Sequence, residues 1–134
     1  MRRYLVILLV AAAATVVVSA RAFAHHSFAA TYAEDQRVTI EGELVQFLFK
    51  NPHSFVHVAV KDENGSTVRY AVEWGGAGQL GFDGVTEKSL KPGDKVIISG
   101  SPGHYPGDHR LRMTSLLRPR DGFGWSLSAH AAAN

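Results

Sequence analysis

The sequence predicts an all-β fold with one short helix, a small five-stranded barrel of the OB-like Greek-key type. Three observations carry that prediction. Apolar and polar residues alternate over five separate runs, and turn signals at Asn51-Pro52, Asn64-Gly65 and Lys91-Pro92-Gly93-Asp94 fall between runs. The order of the runs then places three strands before a poorly helical connector and two after it.

The first residues stand apart from this pattern. Arg2 and Arg3 precede an apolar run from Tyr4 to about Val18, and Ala22-Phe23-Ala24 supplies the small-x-small pattern read by a signal peptidase. Residues 1–24 are therefore expected to be a cleaved signal peptide, which makes the protein periplasmic or secreted from a bacterium. The apolar run is shorter than the roughly 20 residues a spanning helix needs, so no membrane attachment is expected after cleavage. Cleavage removes Arg2, Arg3 and Arg21, so 14 basic residues become 11 against 12 acidic ones, and the formal charge moves from +2 to −1. No cysteine is present, which rules out disulfides, thiolate metal ligands and cysteine nucleophiles. One domain over residues 25–122 must hold by packing alone.

The first strand starts at Val38 with clean alternation to Leu44. The apolar parity then slips at Leu44-Val45 and runs on through Phe47 and Phe49, which predicts a bulge in one long strand, eased by Gly42. After Asn51-Pro52, a second strand puts Val56, Val58 and Val60 inward and Phe55, His57 and Ala59 outward. Asn64-Gly65 is a hairpin signal. In the third strand, from Thr67 to Trp74, Val68, Tyr70, Val72 and Trp74 face inward, while Arg69 and Glu73 share the outer face. The simplest reading of those two is an exposed ion pair. Gly75-Gly76-Ala77-Gly78 lacks the Gly-Lys-Ser/Thr ending of a phosphate loop and reads as a flexible connection into a short helix within Gln79 to Leu90. Lys95 to Gly100 and Arg110 to Leu117 are the fourth and fifth strands, joined by a loop that carries His104 and Tyr105. Residues 123–134, Ala-rich at their end, are expected to form a loosely ordered tail in which His130 has no context.

Four short motifs in this order, His25-His26-Ser27-Phe28, Asn51-Pro52-His53-Ser54, Ala71-Val72-Glu73 and Leu90-Lys91-Pro92-Gly93-Asp94, resemble a family of small exported bacterial proteins known as domain of unknown function 6152. The resemblance spans nearly the whole chain beyond residue 24. That family often has Trp where this chain has Tyr70, and a shorter segment before the Leu-Lys-Pro-Gly-Asp turn. Neither departure touches the histidines. The resemblance implies an exported β-domain and no particular activity, so function has to come from the residues.

Six of the seven histidines lie between His25 and His109, against two Met and no Cys. An imidazole-rich, sulfur-poor ligand set suits Cu(II), and less specifically Zn(II) or Ni(II). Cleavage after Ala24 would leave His25 with a free α-amine beside its imidazole, so one residue could supply two nitrogens, with His26 adjacent. In a straight strand His53 and His57 would stand about 13 Å apart at ~3.3 Å per residue, so one of them, rather than both, is expected to join His25. Such a site is similar to the histidine brace of copper proteins. The competing expectation is a non-enzymatic binding module, in which a ligand face with Phe55, Glu73, His104 and His109 holds a small molecule, a glycan or another exported protein. An enzyme ranks below both, because no nucleophile elbow accompanies Ser27 or Ser54. Nucleic acid is expected to be excluded as a partner, since the charge after cleavage leaves no basic footprint.

If Ala22 and Ala24 mark the scissile bond, the intact mass of the exported protein should correspond to a chain starting at His25. A product that begins at Ala29 or keeps residues 1–24 would remove the amine ligand.

Overall fold

The computed structural model describes residues 1, 3–4 and 28–128; most of the expected signal peptide, with His25, His26 and His130, lies outside them. Met1–Thr31 and Tyr32–Asn134 are separate compact units. Residues 28–31 of the first are helical. The second contains β1 (Val38–Leu48), β2 (Phe55–Lys61), β3 (Thr67–Glu73), α1 (Ala77–Phe82), β4 (Lys95–Pro102), β5 (Arg110–Arg118) and β6 (Phe123–Ser126). Strands neighbour one another in the order β3-β2-β1-β4-β5-β6, and a parallel β3–β5 pairing closes the first five into the predicted barrel.

β1 can serve two neighbours because it bends. Its first half, Val38 to Glu43, pairs with β4, and Gly42 to Leu48 pairs with β2. The bend uses the predicted bulge, where the register shifts between Leu44 and Gln46 and turns Val45 out to solvent. Gly42 sits where β1 pairs with both β2 and β4, and a Cβ there would lie 2.3 Å from the Ala59 carbonyl oxygen. No larger residue fits without moving backbone.

The inward positions of β2 and β3 follow the expected parity. Val56, Val58 and Val72 are fully buried, and with Ile98, Leu111 and Leu44 they form the centre of the core. α1 contributes Leu80, which is 1% exposed, as a plug for one end. Phe123–Ser126, expected to belong to the loose tail, instead forms β6 against Ser115–Arg118. Trp125 anchors it, with its ring 5.3 Å from that of Trp74 and its indole N–H donating to Asp83 Oδ2 at 2.9 Å.

A charge cluster ties the Leu90-Lys91-Pro92-Gly93-Asp94 turn to the end of β5. Asp94 is buried and accepts from Arg118 at 2.7 Å and from the Lys91 N–H at 3.0 Å, with Arg120 3.0 Å from its other oxygen. Arg118 also donates to both oxygens of Asp121, at 3.0 and 2.9 Å. Burial by itself would raise the Asp94 carboxyl, but the Lys91 N–H, Arg118 and Arg120 together hold it below its ordinary 3.8.

Val58→Ala should cost about 1 to 3 kcal/mol in denaturant unfolding, since it removes methyls from a small closed core. Asp94→Asn leaves a buried guanidinium short of its partner and should cost on the order of 3 kcal/mol at neutral pH. Because the Asp94 pKa is depressed by folding, its contribution is complete above the ordinary value of 3.8 and disappears as pH falls through the lowered one. The gap between variant and native stability should therefore close in acid, and a gap independent of pH would refute the ionic account.

Candidate functional site

The Asn51-Pro52-His53-Ser54 turn is built into the barrel by backbone hydrogen bonds. Ser54 is fully buried, its N–H donating to the Gly75 carbonyl at 3.0 Å and its carbonyl accepting from the Trp74 N–H at 2.9 Å. Ser54 Oγ lies 3.2 Å from both the N and O of Lys50, closing the turn on itself. The Asn51-Pro52 peptide is cis, and Asn51 Oδ1 accepts from the Gly78 N–H at 3.1 Å. Gly76 packs so tightly under this turn that a Cβ would lie 2.5 Å from the Pro52 carbonyl oxygen. The Gly75-to-Gly78 run, expected to be a flexible connection, is thus a docked platform.

That platform aims His53 at the end of β3. Its Nδ1 meets Glu73 Oε1, and the Tyr32 hydroxyl donates to Glu73 Oε2 at 2.6 Å. Glu73 stands opposite Phe55 of β2 and Arg112 of β5, at the seam where the barrel closes. The expectation of an outward, exposed Glu73 paired with Arg69 is corrected: Glu73 is only 9% exposed, and Arg69 donates to Gln46 at 3.2 Å. The parity was right, but Tyr32 covers that end of the outer face. Tyr32 is itself buried, paired with Gly103 in a short antiparallel bridge, and Ala33 N–H donates to Pro102 O at 2.8 Å beside it. Burial raises the Tyr32 pKa well above the ordinary phenol range, the Glu73 hydrogen bond and charge add to this, and Arg110 and Arg112 oppose it. Tyr32 therefore remains a protonated donor at any ordinary pH.

Geometry at His53 follows. With Nδ1 occupied by the carboxylate, ring shape directs Nε2 the opposite way, on a side chain 39% exposed. A buried carboxylate behind a half-exposed imidazole can fix its tautomer and orient its ring, which suits a metal ligand.

The other candidate residues divide between two places. His57 is half-buried opposite Gln46 and Ala71, further along the same face, with its pKa lowered by burial and by Arg69. Phe55 is half-buried beneath Lys50, whose amine is 5.7 Å from the ring centre. His104 and His109 belong to the β4–β5 loop, where the His109 ring meets Tyr70 edge-on at 5.1 Å. Among the described residues no three metal-ligating side chains converge. His25 and His26 lie outside those residues. Tyr32 was not foreseen, and the available signal was an aromatic residue isolated in the polar stretch Thr31 to Gln36.

Among solved structures, a mitochondrial single-stranded DNA binding protein from S. cerevisiae, Rim1, is similar at 14% identity and a TM-score of 0.46, covering 60% of this chain and 90% of that one. The expected exclusion of nucleic acid is corrected against this finding: the net charge of the chain is no ground for ruling that partner out. The likeness carries no ligand over to this chain. No curated protein matches the sequence. The family model for DUF6152, a family of unknown function, matches residues 13–110, in agreement with the four motifs around His25, His53, Glu73 and Asp94, and the chain belongs to that family.

Proposed function

We propose that the protein is an exported metal-binding module that handles or delivers Cu(II), with His53 as a ligand and His25 as its chelating partner. The observation that supports this reading is the Tyr32–Glu73–His53 chain of polar contacts, in which Tyr32 donates to one carboxylate oxygen and His53 Nδ1 meets the other. Metal-bound imidazoles commonly hold a carboxylate on their other nitrogen, which orients the ring and strengthens it as a donor. Here Glu73 serves His53 in that way, and Tyr32 holds Glu73. Two nitrogens from a free His25 and one from His53 would make a compact all-nitrogen set, which favours Cu(II) over Zn(II) and Ni(II). His26 and His57 are the further candidate ligands. In this reading Tyr32 and Glu73 position the ligand and do not touch the metal.

Copper titration of the correctly processed protein, with electron spin resonance to count nitrogen ligands, tests the proposal. One extra residue before His25 should sharply weaken binding, because the amine is lost while every imidazole remains. His53→Ala should remove a nitrogen from the spectrum, and His130→Ala should change nothing. Equal affinity for the native and extended N-termini would exclude the brace and favour the non-enzymatic binding module instead.

Glu73→Gln should weaken copper binding by roughly 10- to 100-fold if Glu73 supports His53. Lower pH should weaken binding too, because amine and imidazole must lose their protons to bind. The pH series also distinguishes the strand ligands. Since burial and Arg69 keep His57 neutral further into acid, a site built on His57 would hold copper to lower pH and would be indifferent to Glu73→Gln.

A further inference from the structure

We infer that the barrel carries a second site, independent of the metal, which binds a small aromatic carboxylate between the β4–β5 loop and the segment leading into β1. A cleft of about 330 Å³ opens there, with apolar Val38, Pro102 and Leu111, the rings of Tyr70, Tyr105 and His109, and Arg110 among its lining. This is the low end of the size range for small-molecule sites, enough for a single-ring ligand.

The cleft is preformed. Its loop is fastened at both ends, by Gly103 N–H donating to Arg110 O at 3.0 Å and by Ala71 N–H donating to His109 O at 2.9 Å. Between these points a 3₁₀ turn over Pro106–Asp108 ends on His109, which adopts a left-handed φ of 46°. Few residues with a Cβ adopt that backbone, His being one of the types that do so more readily, and Gly holds it without strain. The turn nevertheless places an imidazole there, set against Tyr70 as part of the wall. An uncommon backbone conformation that sets an imidazole into a cleft wall is the kind of outlier from which a binding role is inferred.

Charge selects the ligand class. The Arg110 side chain makes no hydrogen bond or ion pair among the described residues, whereas its neighbour in alternation, Arg112, is paired with Glu34 at 2.6 Å. An unengaged guanidinium beside aromatic and apolar walls suits a planar ring bearing one carboxylate, which Arg can grip with two parallel hydrogen bonds. Tyr105, 75% exposed on the loop, offers a ring that a ligand could cover.

Benzoate, with benzamide as its uncharged counterpart, provides the test. In amide NMR titrations, benzoate should shift Gly103, His109 and Leu111, and benzamide should bind about tenfold more weakly. Arg110→Gln should weaken benzoate to the benzamide level, Arg110→Lys should recover part of the loss, and Arg69→Gln, at a guanidinium engaged with Gln46, should leave it unchanged. His109→Gly keeps the left-handed backbone without strain, so it should keep or raise the melting temperature while weakening benzoate. Adding copper should not be needed for any of these shifts. Equal binding of benzoate and benzamide, shifts confined to other parts of the barrel, or no shifts up to the solubility limit would each overturn the site.

Discussion

A carboxylate placed at the seam of a closed barrel has to find hydrogen-bond donors, because water cannot reach it freely there. Glu73 is that group, and much of the surrounding architecture answers its demand. One donor comes from Tyr32, which reaches the seam because the chain before β1 is clipped to the end of β4 at Pro102 and Gly103. The other comes from His53, which reaches it because the Asn51-Pro52 turn rests on Gly76 with no space for a side chain between them. Three segments with little regular structure are thus held by one buried charge and the tight packing around it.

The strands were legible because alternation reports which residues share a face, and closure of a small barrel leaves few ways to arrange five such runs. Val56, Val58 and Val72 are buried as their parity requires, and the slip at Leu44-Val45 is a bulge. Alternation is silent about what lies over a face. Glu73 was placed on the correct side of β3 and still misjudged, since its cover is a tyrosine 41 residues earlier in the chain. The glycine run was misjudged for a related reason: the residue that permits flexibility is also the one that permits close contact, and only the position of the Asn51-Pro52 turn decides between them. β6 was invisible because Phe123-Gly124-Trp125-Ser126 is too short to show a period.

The two sites argued for above meet at one crossing. Tyr32 faces Glu73 while its bridge partner Gly103 lines the cleft, and Arg110 acts electrostatically on the Tyr32 hydroxyl. Because Tyr32 stays protonated at any ordinary pH, the two places share this segment of chain without either ligand depending on the other.

The placement of β6 bears on how copies of this protein behave toward each other. One edge of β5 is taken by β4; on the other edge, β3 covers only Arg110–Arg112 and β6 covers Ser115–Arg118. Without the last strand, half of that edge would present unpaired amides and carbonyls, a template for strand exchange and aggregation between neighbouring molecules. β6 is four residues long and contains a glycine, so it occupies the edge while offering little of its own for another chain to extend. A segment that reads as surplus sequence thereby caps the part of that edge which β3 leaves open.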